Sequence, residues 1–88
     1  MKIEKMVNMS PVTAIMLTAV GIKTVSQLRA MGSIRAYQNI RAAGIKTSLR
    51  LLLDIEGALT NTHWSRLPTE VRSRLLVMAD VSIDTNKP

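Results

Sequence analysis

Few side chains in this sequence could do chemistry. The single histidine, His63, is followed directly by the single tryptophan, Trp64. General acid–base work at His63 would need partners within hydrogen-bond reach, and no Ser–His–carboxylate constellation is apparent. Asp54 and Glu56 stand two apart. On a helix they cannot face each other, which argues against a carboxylate pair. The chain has no cysteine. That removes disulfides, thiolate nucleophiles and cysteine–zinc sites together, and with one histidine an ordinary transition-metal site is not expected either. Trp64 and Tyr37 are the only aromatic residues, too few for a base-stacking platform. His63 reads as a local loop-capping residue and Trp64 as a core plug that clamps the last helix. No cofactor or metal is expected, and the chain reads as a binding module, not an enzyme.

The remaining chemistry is charge. The 88 residues carry a formal net charge of +6. Residues 5–53 hold Lys5, Lys23, Arg29, Arg35, Arg41, Lys46 and Arg50 with no Asp or Glu. From residue 54 onward Asp54, Glu56, Glu70, Asp80 and Asp84 offset Arg66, Arg72, Arg74 and Lys87. This asymmetry points to a basic face for an anionic partner; the bland alternative is a solvated surface that keeps a small protein soluble. Lys23, Arg29, Arg35, Arg41, Lys46 and Arg50 are the candidate surface for nucleic acid or an acidic partner. Six phosphate contacts would give log affinity against log salt a slope of about −5. No base-reading pattern accompanies them, so DNA binding would be weak and non-specific.

The elements that must position these residues read as helices throughout. Ser10-Pro11 is an N-cap with proline at the first helical position. Val12, Ile15, Met16, Ala19 and Val20 then form an apolar stripe at helical spacing. Gly21 stops this helix, and Ile22 can latch onto Leu17 in a Schellman motif. Thr24 and Gln27 make a capping box for a short second helix that Gly32 closes. Ser33 can cap a third, with Ile34, Tyr37 and Ile40 inward, and Gly44 stops it with Ile45 on Ile40. Thr47 or Ser48 caps a fourth, through about Asn61, apolar nearly all round and therefore central. Gly57 inside it implies close packing against a neighbour. Pro68 opens the last helix, with Val71, Leu75 and Met78 inward and a Glu70–Arg74 ion pair outside. The fold class is all-α: one compact domain of about five short helices over residues 1–80, with a frayed tail over 81–88. No segment approaches the roughly 20 apolar residues of a membrane span. Pro11, Thr13 and Thr18 interrupt any signal-like stretch and no cleavage site follows, so a cytoplasmic location is expected.

One motif repeats. Gly21-Ile22-Lys23-Thr24 recurs as Gly44-Ile45-Lys46-Thr47. Each copy is a helix stop, an apolar latch, a lysine and an N-cap. Convergent capping chemistry explains it; alternatively the pair are basic turns, each setting a lysine beside a helix N-terminus where phosphate is favourably held.

These elements carry a family resemblance. It runs from Gly21-Ile22-Lys23-Thr24-Val25 and Leu28-Arg29-Ala30-Met31-Gly32 through Ala36-Tyr37 and Ala42-Ala43-Gly44. Ser48-Leu49, Leu51-Leu52, Glu56-Gly57-Ala58-Leu59, His63-Trp64 and Leu67-Pro68 complete it. The chain resembles the C-terminal domain of the TfoX/Sxy competence regulators over about residues 6–77. The resemblance implies an all-helical, helix-hairpin-helix-like fold; Gly21, Gly44, Trp64 and Pro68 are its structural residues on the capping and packing chemistry above. It implies a part in natural transformation, through transcription of DNA-uptake genes together with the cyclic-AMP receptor protein. Full-length members carry a separate N-terminal domain, so this chain is either a stand-alone relative or an excised domain. A more distant likeness, over residues 9–28, is to the C-terminal domain of the RNA polymerase α subunit. There Val12 and Ile15 stand where that domain has DNA-contacting residues, so the fold can persist while the DNA contact is lost. Two functions therefore compete: a regulatory module contacting DNA or a DNA-bound regulator, and a protein-interaction module without DNA binding, with a homodimer as one form.

Overall fold

A computed structural model describes residues 1–85, with side chains as far as residue 79. It is all-α, with α1 Pro11–Ala19, α2 Val25–Met31, α3 Ser33–Ala42, α4 Leu49–Thr60 and α5 Thr69–Thr85. Single 3-10 turns occupy Ile3–Lys5 and Trp64–Arg66. The frayed tail expected from Val81 is helical as far as Thr85, and residues 86–88 lie outside the described residues.

The helix signals act as local chemistry predicts. The Ser10 hydroxyl accepts from the Thr13 N–H at 3.2 Å, with Pro11 behind it. Gly21 takes a φ of 86°, which lets its N–H reach the Thr18 carbonyl and the Ile22 N–H reach the Leu17 carbonyl. That is the full Schellman pair, and both Leu17 and Ile22 are buried. Gly44 repeats the arrangement, its φ 84°, with Ile45 N–H on the Ile40 carbonyl. Thr24 and Gln27 close their capping box, and Ser48 caps α4. Pro68 stands just before α5, its carbonyl accepting from the Arg72 N–H.

The core gathers between α3 and its neighbours. α3 packs against all four other helices. α4 is buried on several sides, through Leu51, Leu52, Leu53, Ile55 and Ala58. α1 turns a different face inward from the expected stripe. Val12 and Ile15 are 61% and 68% exposed, while Thr13, Ala14 and Leu17 are buried and Met16 and Val20 pack partly against the core. α1 has apolar residues on every side, so periodicity does not select a face; the Leu17–Ile22 latch does. Ser33 is not a cap. It is the first residue of α3, and its hydroxyl donates to Glu56 Oε1 at 2.6 Å, Gly32 holding the cap position. On α5, Leu75 and Ala79 are buried and Met78 is 46% exposed. Arg74 pairs with Glu56 across the fold, at 4.0 Å, in place of Glu70.

Two features have no periodic signature. The N-terminal residues are woven in: Ile3 is fully buried, Met1 C=O accepts from Val25 N–H at 2.9 Å, and Lys2 bridges Thr24. Asn8, at a φ of 66°, ties the segment before α1 to the far end of α4. Its Nδ2 donates to the Thr62 carbonyl at 2.8 Å and to the Asp54 carbonyl at 3.5 Å, and its Oδ1 accepts from Trp64 N–H at 3.2 Å. Gly57 lies directly against this clamp. A Cβ there would meet the Asn8 amide and the Thr62 carbonyl, which is the close packing its position in α4 implies.

Candidate anionic-partner surface

The two basic turns share their glycine geometry but differ at the backbone beyond it. At the first, Gln27 Oε1 accepts from Lys23 N–H at 2.7 Å and from Thr24 N–H at 3.1 Å. Met1 C=O takes the Val25 N–H, and the Thr24 hydroxyl takes that of Gln27. The chain therefore takes four of the donors on which a phosphate could sit, those of Lys23, Thr24, Val25 and Gln27. The second turn is open. Three residues after Thr47 comes Arg50, which cannot accept. The N–H groups of Thr47, Ser48 and Leu49 take no partner among the described residues.

Arg41 and Lys46 line one shallow cleft at this open turn, with Gly44, Ile45 and Thr47. Arg41 Nη1 donates to the Thr47 hydroxyl at 3.3 Å, and that hydroxyl lies 3.4 Å from the Tyr37 hydroxyl. This orients the guanidinium toward the turn. Arg35 instead borders the first turn, in a hollow with Gly21, Ile22 and Gln27. Arg29 is exposed in the last turn of α2.

Arg50 departs from the group. Its Nε donates to Asp54 Oδ1 at 3.1 Å, and its guanidinium lies 3.8 Å over the Trp64 ring. Cation–π stacking and an ion pair fix it as a clamp on the Trp64 turn. Trp64 itself is half-buried against the core, and its carbonyl accepts from Arg72 Nη2 at 3.1 Å. Arg72 Nε also holds the Leu67 carbonyl. Trp64 thus reaches α5 through Arg72, a link that residue spacing does not announce. His63 caps the 3-10 turn: its Nδ1 accepts from Ser65 N–H and stands 2.7 Å from the Ser65 hydroxyl. Among the described residues no group of three or more His, Asp or Glu could hold a metal, and no helix is long and apolar enough to cross a membrane.

The model of the family described as the TfoX C-terminal domain matches residues 1–79. The chain belongs to the TfoX C-terminal domain family. No curated protein matches it significantly. Among solved structures, this TfoX C-terminal domain is similar to an uncharacterized protein from Listeria monocytogenes in its triclinic form. The TM-score is 0.82 at 25% identity, covering 86% of each chain. It is also similar to a Listeria monocytogenes protein of unknown function in a tetragonal form, with a TM-score of 0.83 and 24% identity over 89% of this chain and 96% of that one. These likenesses show that the helical arrangement recurs.

Proposed function

We propose that this TfoX C-terminal domain is a non-enzymatic cytoplasmic module that regulates transcription of DNA-uptake genes in competence. It acts by weak contact of its basic surface with nucleic acid, beside a DNA-bound regulator such as the cyclic-AMP receptor protein. Membership of the family over residues 1–79 carries the reading. The pairing of Arg41 with Lys46 at an open helix turn supports it. Such contacts bind phosphate without reading bases. Fluorescence anisotropy with duplex DNA, titrated across salt, tests it. We expect steeply salt-dependent binding. Combining Arg41→Glu with Lys46→Glu should weaken it about tenfold or more and flatten the salt slope by about 2. No binding at low salt would refute the reading.

A second reading is favoured by α1. Its outward face bears Val12 and Ile15, and the helix carries no charged residue. Two copies of a chain with a net charge of +6 can meet there without opposing like charges. The domain is then a protein-interaction module, with a second copy as the occupant. Sedimentation at two concentrations should show a dimer, and Val12→Glu with Ile15→Glu should leave a folded monomer. A wild-type monomer at both concentrations sinks this reading.

A further inference from the structure

We propose that the cleft bordered by α3, α4 and α5 binds a small organic anion with an apolar body. The cleft has a volume of about 610 Å³, within the roughly 300–1,000 Å³ of small-molecule sites. Its wall is mostly apolar, through Met31, Ile34, Leu59 and Met78, with Ser33 and Gln38 as polar members. Burial of an apolar body there releases water from both surfaces.

The charged groups decide what head the ligand carries. Arg35, Arg74 and Glu56 all line the cleft. Glu56 is committed to the protein: its side chain is 15% exposed, and its Oε1 takes the Ser33 hydroxyl at 2.6 Å. Arg74 pairs with Glu56 Oε2 at 4.0 Å, and its side chain is 61% exposed, so part of the guanidinium still faces water. Arg35 is exposed and has no carboxylate partner among the described residues. Among the described residues two guanidiniums therefore line the cleft with one carboxylate, an excess of one positive charge. A guanidinium presents paired donors that match a carboxylate or phosphate. A cationic head would meet that excess positive charge, and a neutral one would leave the Arg35 donors to water. The ligand is thus an amphiphile with one anionic group, held between helices by Arg35 and Arg74. This site lies apart from the Arg41–Lys46 cleft and does not depend on the DNA reading.

The methionines make the test specific. Met31 and Met78 line the cleft, whereas Met16 lies on α1. We would label methionine methyls with carbon-13 and titrate the 88-residue chain with decanoate below its micelle concentration. Decanol and decyltrimethylammonium serve as probes of equal chain length. The Met31 and Met78 methyls should shift with a saturable curve while Met16 stays still. Decanol and the ammonium should bind about tenfold more weakly. Arg35→Gln and Arg74→Gln, both at exposed side chains, should each weaken decanoate several-fold and leave decanol unchanged. Equal binding of decanoate and decanol overturns the anionic head. Shifts spread over all six methionines, or none, overturn the site.

Discussion

Gly57→Ala is expected to destabilise the domain by about 2 kcal/mol. In an exposed helix interior the same change stabilises by about 1 kcal/mol, because alanine is the better helix former. The sign is therefore the test. Gly57 is buried in α4, and the new Cβ would press on the Asn8 amide and on the Thr62 carbonyl. The amide belongs to a side chain, but its atoms are held by bonds to Thr62 and Trp64. The carbonyl is backbone and closes the end of α4, where Thr62 N–H also bonds the Gly57 carbonyl at 2.8 Å. Neither yields without loosening the clamp. Urea unfolding followed by circular dichroism should show a lower midpoint at unchanged slope. The melting temperature should fall by roughly 10 °C. An unchanged or raised midpoint would mean that the clamp shifts at no cost.

The residues that sequence reading placed well are those whose partners are close in the chain. Ser10, Thr24 with Gln27, and Ser48 cap helices through bonds three residues long. Gly21 and Gly44 stop helices through bonds closed within six residues. Gly57 was legible as a close approach, though not what approaches it. Long-range partners left no such trace. Ile3 is an isolated apolar residue among charged ones, and only its pairing with the Lys23–Val25 segment buries it. Ser33 looks like a cap because serine at a helix start usually is one; Glu56, 23 positions away, claims its hydroxyl instead. The helical period does not pick the α1 face, because apolar content on every side leaves it without a minimum. The latch through Leu17 contained the answer.

The basic surface shows a second limit. Charge counting names residues but cannot say which are spent. Lys23 and Lys46 occupy identical tetrapeptides, yet Gln27 closes one turn and Arg50 leaves the other open. Arg50 also looks like its neighbours in sequence and is tied to Asp54 and Trp64. The first turn is capped by Thr24 and closed by Gln27; at the second the cap moves one residue on, to Ser48, and Arg50, three residues after Thr47, cannot accept. Arg41 and Lys46 are the basic residues that line the cleft at the second turn.

Asn8→Ala should cost about 3 kcal/mol, the largest loss expected from any change outside the apolar core. Two causes contribute, and a second substitution separates them. The amide makes bonds to the carbonyls of Thr62 and Asp54 and to the N–H of Trp64, so it joins three points that no helix connects. Its backbone also sits at a φ of 66°, which asparagine and glycine tolerate and alanine resists. Asn8→Gly removes the bonds and keeps the conformation, and should be milder than Asn8→Ala by about 1 kcal/mol. Asn8→Asp keeps an acceptor for Trp64 but sets a carboxylate against the Thr62 carbonyl, so it should fare no better than alanine. The Gly57 change should then be less damaging in an Asn8→Ala background, because one of the two obstacles to its Cβ is gone. Strict additivity of the two would show that the Asn8 amide does not oppose the Gly57 Cβ, and a loss below about 1 kcal/mol for Asn8→Ala would show that its three bonds contribute little.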